Sequence, residues 1–232
     1  MKQNGIELIH GDNMDLLRST PDKFYDLAIV DPPYGISIHK MNFTQSVKGG
    51  VAKRKDYSDI TDWDSNTPNA EYFAELQRVS KNQIIWGWNY FVENLTSCKC
   101  YIVWDKKTEN KYSNDFADCE TAWTSFNKPA KVYRHLWSGM LQQNMKDKEV
   151  RIHPTQKPIK LYDWIFQNFA KQGDKILDTH LGSGSISIAI DKANRMDGMN
   201  LTFTGIELNK EYFDSAVKRF NQYANQTTIF DI

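Results

Sequence analysis

Cysteine is scarce in this chain: 232 residues hold three, Cys98, Cys100 and Cys119. Three cannot all pair, and the spacing of Cys98 and Cys100 is too tight for a usual redox or zinc motif. A disulfide scaffold is excluded, and reduced thiols are expected, with Cys100 and Cys119 buried in strands. An excess of one charge sign is lacking too. Twenty-nine Lys and Arg balance 29 Asp and Glu, so the formal net charge is zero. No global field then favours nucleic acid, and any such contact must rest on local patches. No apolar run is long enough to span a membrane, and the opening residues hold no secretory hydrophobic region. With 40% hydrophobic residues and a mean hydropathy of -0.63, a soluble protein without a membrane partner is expected. No internal repeat or low-complexity tract is present. The length suits one α/β domain over residues 1–232 with long loops.

What is present begins with Asp31-Pro32-Pro33-Tyr34, which follows the apolar run Leu27–Val30 and precedes Gly35. A buried strand ending in an acid, two prolines and an aromatic makes a rigid polar lip at the carboxyl edge of a sheet, where open α/β sheets bind ligands. Prolines give no N–H to a ladder, so neighbouring carbonyls are free to face a ligand. A Pro-Pro pair alone reads more readily as a strand-ending turn beside a helix-capping Asp, and the full tetrapeptide after an apolar run reverses that preference. The full tetrapeptide suits holding a planar exocyclic amine whose lone pair is delocalised into a ring. Two acceptors, the Asp31 carboxylate and the Pro32 carbonyl, would localise that lone pair. Tyr34 would stack on a base swung out of its helix.

A second site lies near the other end. Lys175–Asp178, then Thr179-His180-Leu181-Gly182-Ser183-Gly184-Ser185, then Ile186–Ile190 reads as strand, glycine turn and helix. Gly184 opens a helix whose N-terminal N–H groups attract an anion. Leu201–Glu207 reads as a further strand ending in an acid. Glu207 is placed to accept from both ribose hydroxyls of an adenosine-containing cofactor. It is also a cap candidate for the helix that follows, and the two roles are compatible. The three-glycine dinucleotide fingerprint is missing, which disfavours NAD.

Together Asp31–Tyr34, His153-Pro-Thr155-Gln-Lys157-Pro158, Asp178–Ser185 and Gly205-Ile206-Glu207 resemble the DNA amino-methyltransferases. The catalytic tetrapeptide precedes the glycine loop, the order of the β class, a circular permutation of the fold. The resemblance runs nearly end to end and takes in Gly11-Asp12, Trp86-Gly87-Trp88-Asn89 and Tyr101–Asp105. It implies a doubly wound, mostly parallel, Rossmann-like methyltransferase sheet with one reversed strand. It implies S-adenosylmethionine as cofactor and double-stranded DNA as substrate, with no metal needed. Adenine N6 is expected as target, with cytosine N4, RNA or a glutamine amide as alternatives, and a non-catalytic DNA-binding regulator as a remoter one. The catalytic set is Asp31, Pro32, Pro33 and Tyr34. The cofactor set is Asp12, Asp31, Thr155, Lys157, Asp178, His180, Gly182, Ser183, Gly184, Ser185 and Glu207, with Lys157 pairing with the methionine carboxylate. The loop departs from the family's Asp-Pro-Phe pattern at Thr179, His180 and Leu181. Cytoplasmic location, in a bacterium or in the host of a phage, follows from the same resemblance, and a homodimer is compatible with it.

The rest of the chain reads as connecting structure. Strands are expected at 6–9, 26–30, 83–86 and 100–104, and a hairpin from Cys119–Ser125 and Lys131–Leu136 through Asn127-Lys128-Pro129. Helices are expected at 12–19, 68–80 with a Thr67 cap, 159–170 and 210–224. Two insertions stand out. The loop 35–66 carries Lys48, Lys53, Arg54, Lys55 and Trp63 and is expected to close on DNA, its cations meeting phosphates with help from Lys106 and Lys107. The segment 137–151 falls where β-class relatives place their target-recognition region.

Overall fold

The apolar runs form the middle of a nine-stranded sheet in a computed structural model that describes residues 1–36, 66–107, 117–138 and 141–225. The strands are β1 (Lys2–Gln3), β2 (Ile6–His10), β3 (Tyr25–Val30), β4 (Ser80–Trp86), β5 (Tyr101–Asp105), β6 (Cys119–Thr124), β7 (Lys131–Arg134), β10 (Lys175–Asp178) and β11 (Thr202–Glu207). The short pair β8 (Trp137–Ser138) and β9 (Leu141–Gln142) stands apart. The sheet order is β1-β2-β11-β10-β3-β4-β6-β5-β7. All neighbours are parallel except the two-residue β1 and the strand β6, which runs against β4 and β5. The single reversed strand within the sheet is therefore β6, and β1 adds a short antiparallel edge.

Five helices among the described residues cover both faces: α1 (Asn13–Ser19), α2 (Ala70–Val79), α3 (Ile159–Phe169), α4 (Ser185–Asp197) and α5 (Lys210–Ala224). The sheet's alternation sorts the core in two. Leu27, Ile29, Ile84 and Trp86 join Leu161, Ile165 and Ile186 on one face. Ala28, Val30 and Ile85 join Leu17, Tyr72 and Leu76 on the other. Strands buried on both faces have no polar side to show, which is why they read as continuous apolar runs. Among the described residues no helix is long and apolar enough to cross a membrane.

Three expectations need correcting. β6 and β7 are not a hairpin: β6 pairs with β4 and β5, and β7 adds in parallel to the other edge of β5. With β6 filling the gap between β4 and β5, the chain after it must cross β5 to find an open edge. The cap of α2 is Asn69 rather than Thr67, its side chain accepting from Tyr72 N at 3.0 Å. Cys119 is exposed rather than buried because it opens its strand, while Cys100 is buried.

Candidate active site

The parallel strands end on one edge, and there β2, β3, β10 and β11 deliver Asp12, Asp31, Thr179–Ser183 and Glu207 to a cavity of about 500 Å³. His153, Thr155, Gln156 and Lys157 close it from the segment before α3. Eight expected cofactor residues line it: Asp12, Asp31, Thr155, Lys157, His180, Gly182, Ser183 and Glu207. Asp12 also caps α1, its Oδ1 accepting from Met14 N at 2.8 Å.

Three expected residues sit behind the wall. Asp178 is buried and accepts from His180 N at 2.9 Å. Gly184 lies in the left-handed region at φ 67° and lets α5 pass, since a Cβ there would meet the Ala216 Cβ at 3.1 Å. Ser185 accepts from Arg219 Nη1 at 2.8 Å and bonds Ser183 Oγ at 3.1 Å. Arg219 of α5 thus fixes the Ser183 carbonyl and the Ser185 hydroxyl at the start of α4.

Glu207 braces the glycine loop: Oε2 accepts from Gly182 N at 2.8 Å and Oε1 from Asn209 N at 2.9 Å. The N-cap of α5 is Asn209 rather than Glu207, its side chain accepting from Glu211 N at 2.9 Å and Tyr212 N at 3.1 Å, while the Glu207 carboxylate faces the cavity. His180 belongs to a polar chain: Nε2 contacts Asn13 Nδ2 at 3.1 Å, Nδ1 contacts Thr179 Oγ1 at 3.0 Å, and Thr179 Oγ1 meets Tyr72 Oη at 2.7 Å. The amide is a donor, so Nε2 accepts and the proton sits on Nδ1. Burial drives the His180 imidazole down to about 3, so it is neutral. The residue that departs from the family pattern fills the loop and takes hydrogen bonds there.

Asp31 is held on both oxygens. Tyr34 Oη donates to Oδ1 at 2.6 Å, and the Lys157 ammonium donates to Oδ2. Burial raises the Asp31 carboxyl above the ordinary range, with Lys157 and Tyr34 opposing. Burial alone would lower Lys157, but Asp31 and Glu120 outweigh it and keep the ammonium charged. Asp31 and Pro33 face the cavity, whereas Pro32 is buried and Tyr34 stacks on Tyr90 with centroids 4.9 Å apart and planes 12° apart. Three placements correct the sequence reading. Lys157 is tied to two carboxylates rather than open to a cofactor carboxylate. Lys106 is bound to Glu120 at 2.8 Å, and Lys107 is paired with Asp118, so neither is a free surface cation. Lys48, Lys53, Arg54, Lys55 and Trp63 lie outside the described residues.

Sequence reasoning missed Glu120, Tyr90 and Asn13, for which no local pattern existed, and Gly87, whose motif was seen without its purpose. Gly87 has φ 68°, and a Cβ there would lie 2.1 Å from the Tyr34 ring. The residue is a glycine because the Tyr34 ring lies against its backbone.

The signature of the DNA methylase family matches residues 70–218. The chain belongs to that family. The methylase is similar over 262 residues, at 27% identity, to the Type II methyltransferase M2.LlaDCHI of Lactococcus lactis subsp. cremoris, covering 96% of this chain and 91% of that one. It is 26% identical to the Type II methyltransferase M2.DpnII of Streptococcus pneumoniae, covering 94% and 90%. Among solved structures, a complex of M1.HpyAVI with S-adenosylmethionine aligns with a TM-score of 0.55 and 24% identity over 92% of this methylase and 99% of that chain. The cytosine-N4-specific PvuII DNA methyltransferase aligns at 0.55 with 12% identity, over 97% and 94%. These structures share the fold. The methylase is an S-adenosylmethionine-dependent DNA amino-methyltransferase.

The cavity's chemistry fits that cofactor. Asp12, Asp31 and Glu207 line it, and behind them burial, with Asp31 and Glu207 adding repulsion, pushes Asp178 up to about 8. Among the described residues no cation bonds Asp178. A surplus of acid beside a 500 Å³ space suits a nucleoside carrying positive charge.

Proposed function

We propose that this methylase transfers a methyl group to adenine N6 in a short target of double-stranded DNA, working as a single domain. One observation carries the reading: Asp31 stands at the cavity wall with its carboxylate oriented by Tyr34 and Lys157. An acceptor fixed there takes one N–H of the amine, and the Pro32 carbonyl takes the other. Together they turn the delocalised lone pair toward the cavity. The cofactor supplies an electrophilic methyl group on a sulfonium when bound. Glu207 would hold its ribose hydroxyls and Asp12 its adenine, while His180 lines the cavity and Asp178 stands behind the loop that would receive it. The protein's work is positioning and electrostatics, without a covalent enzyme intermediate. Asp at position 31 favours adenine; cytosine N4 is the second reading, since the two amines ask for the same acceptors.

Nucleoside mass spectrometry of unmethylated DNA, incubated with protein and S-adenosylmethionine, tests it. N6-methyladenine is expected. N4-methylcytosine would keep the mechanism and change the base, and the absence of both products from a protein that binds the cofactor would sink the reading.

Two further outcomes follow. Glu207→Ala should weaken cofactor binding by about 1–3 kcal/mol, the scale of charge-assisted hydrogen bonds. Unchanged affinity by calorimetry would leave Glu207 as a brace only. For Asp178 the folded value of about 8 lies above the ordinary carboxylate value, so the folded apoprotein holds that proton. Its stabilising effect is full below the unfolded value and is lost as pH rises through 8. Binding of a cationic cofactor near pH 7 should therefore release a proton, seen as buffer-dependent calorimetric heats. Asp178→Asn should abolish the release and raise the apoprotein's melting temperature at pH 8. Proton release unaltered by Asp178→Asn would remove Asp178 from that role.

A further inference from the structure

The Lys157 ammonium is buried, its side chain only 3% exposed, and it is shared between two carboxylates. It donates to Asp31 Oδ2 and meets Glu120 Oε2 at 3.2 Å, with the Trp86 ring beneath it at 5.3 Å. Lys106 meets the other oxygen of Glu120 at 2.8 Å. The order of groups leading away from the cavity is Asp31, Lys157, Glu120, Lys106. Burial opposes ionisation of Glu120, but Lys157 and Lys106 outweigh it and draw its carboxyl down to about 2. Glu120 stays ionised at every working pH.

This arrangement answers an electrostatic difficulty. As the amine nitrogen bonds to the methyl carbon and the carbon–sulfur bond breaks, positive charge moves from sulfur to nitrogen; the nitrogen then loses a proton. A carboxylate beside that nitrogen helps, but Asp31 and Lys157 taken together carry no net charge. Glu120 takes a share of the Lys157 ammonium, so Asp31 is not fully cancelled, while Lys106 offsets Glu120 one step further from the amine. Glu120 also pins Lys157, so that Asp31 keeps one acceptor direction toward the cavity.

We infer that Glu120 is a positioning residue for methyl transfer, acting through Lys157: it holds the buried ammonium in place and draws part of its charge off Asp31. The inference rests on the assignment of Asp31 as the amine's acceptor. Its effect belongs to the transfer step, in which charge appears on nitrogen, and not to the binding of cofactor or base.

The test compares the wild-type protein with Glu120→Gln in three measurements: single-turnover methyl transfer, calorimetric affinity for S-adenosylmethionine, and 2-aminopurine fluorescence at the target base. Transfer should fall about 30-fold, while cofactor affinity and base entry stay within about threefold. Glu120→Asp keeps the charge but ends one methylene short of Lys157, and should give an intermediate rate. A Glu120→Gln rate within about threefold of wild type overturns the inference, as does a loss of cofactor affinity or base entry matching the loss of rate. Should Glu120→Gln fail to fold, as its melting curve will show, Glu120→Asp carries the test. A fall of about 3–10-fold with cofactor affinity unchanged supports the inference, and a wild-type rate overturns it. A wild-type protein that methylates nothing overturns the Asp31 assignment first, and this inference with it.

Discussion

Asp31→Ala is expected to cut methyl transfer by about 10³-fold or more, while cofactor affinity changes only a few-fold. Removing one preorganised hydrogen-bonding group at a reacting centre costs roughly 10²–10³ in rate, and Asp31 carries charge as well. The substitution should not unfold the protein. Lys157 keeps Glu120 as a partner at 3.2 Å, so the penalty of a stranded buried charge is largely avoided. Single-turnover transfer, calorimetry and a melting curve decide it. Retained turnover would sink the assignment of Asp31 as the amine's acceptor, and a matching loss of cofactor affinity would make Asp31 chiefly a cofactor ligand.

Gly87→Ala should be the most disruptive glycine substitution among the described residues. Alanine in the left-handed region costs about 1–2 kcal/mol on backbone grounds alone. Its Cβ would also lie 2.1 Å from Tyr34, so the ring must move. Moving it breaks the 2.6 Å bond to Asp31 and the stack on Tyr90. A stability loss of about 2–4 kcal/mol and a 10–100-fold slower transfer are expected. Tyr34→Phe separates the causes: it keeps the ring and removes only the hydroxyl, for a loss of roughly 1 kcal/mol in transfer. If Gly87→Ala folds and transfers at the wild-type rate, Tyr34 is not held in place by that glycine.

The two kinds of surprise in this site share an origin. Lys157 was legible as a cofactor partner because the segment His153–Pro158 resembles one that closes over the cofactor's methionine end in the family. Its actual partners lie just past the end of β3 and on β6, 126 and 37 residues away (157 − 31 and 157 − 120), and only the closed sheet brings them together. Lys106 was legible as surface charge, yet it lies beside Glu120 because β5 and β6 pair in that register.

What the sequence determined by itself was the local grammar. Runs such as Leu27–Val30 must be strands buried on both faces, and the acids that end β3 and β11 must reach the carboxyl edge, because a strand's end is fixed by where its apolar run stops. The order of tetrapeptide before glycine loop gave the permuted fold. What only the tertiary structure decided was partnership. Strand neighbours are chosen by which edges remain open, so β7 joined β5 and not β6. Charge partners are chosen by distance in space, so Asp31, Lys157, Glu120 and Lys106 became one chain. A residue's type fixes what it can bond, and the closed fold fixes what it meets.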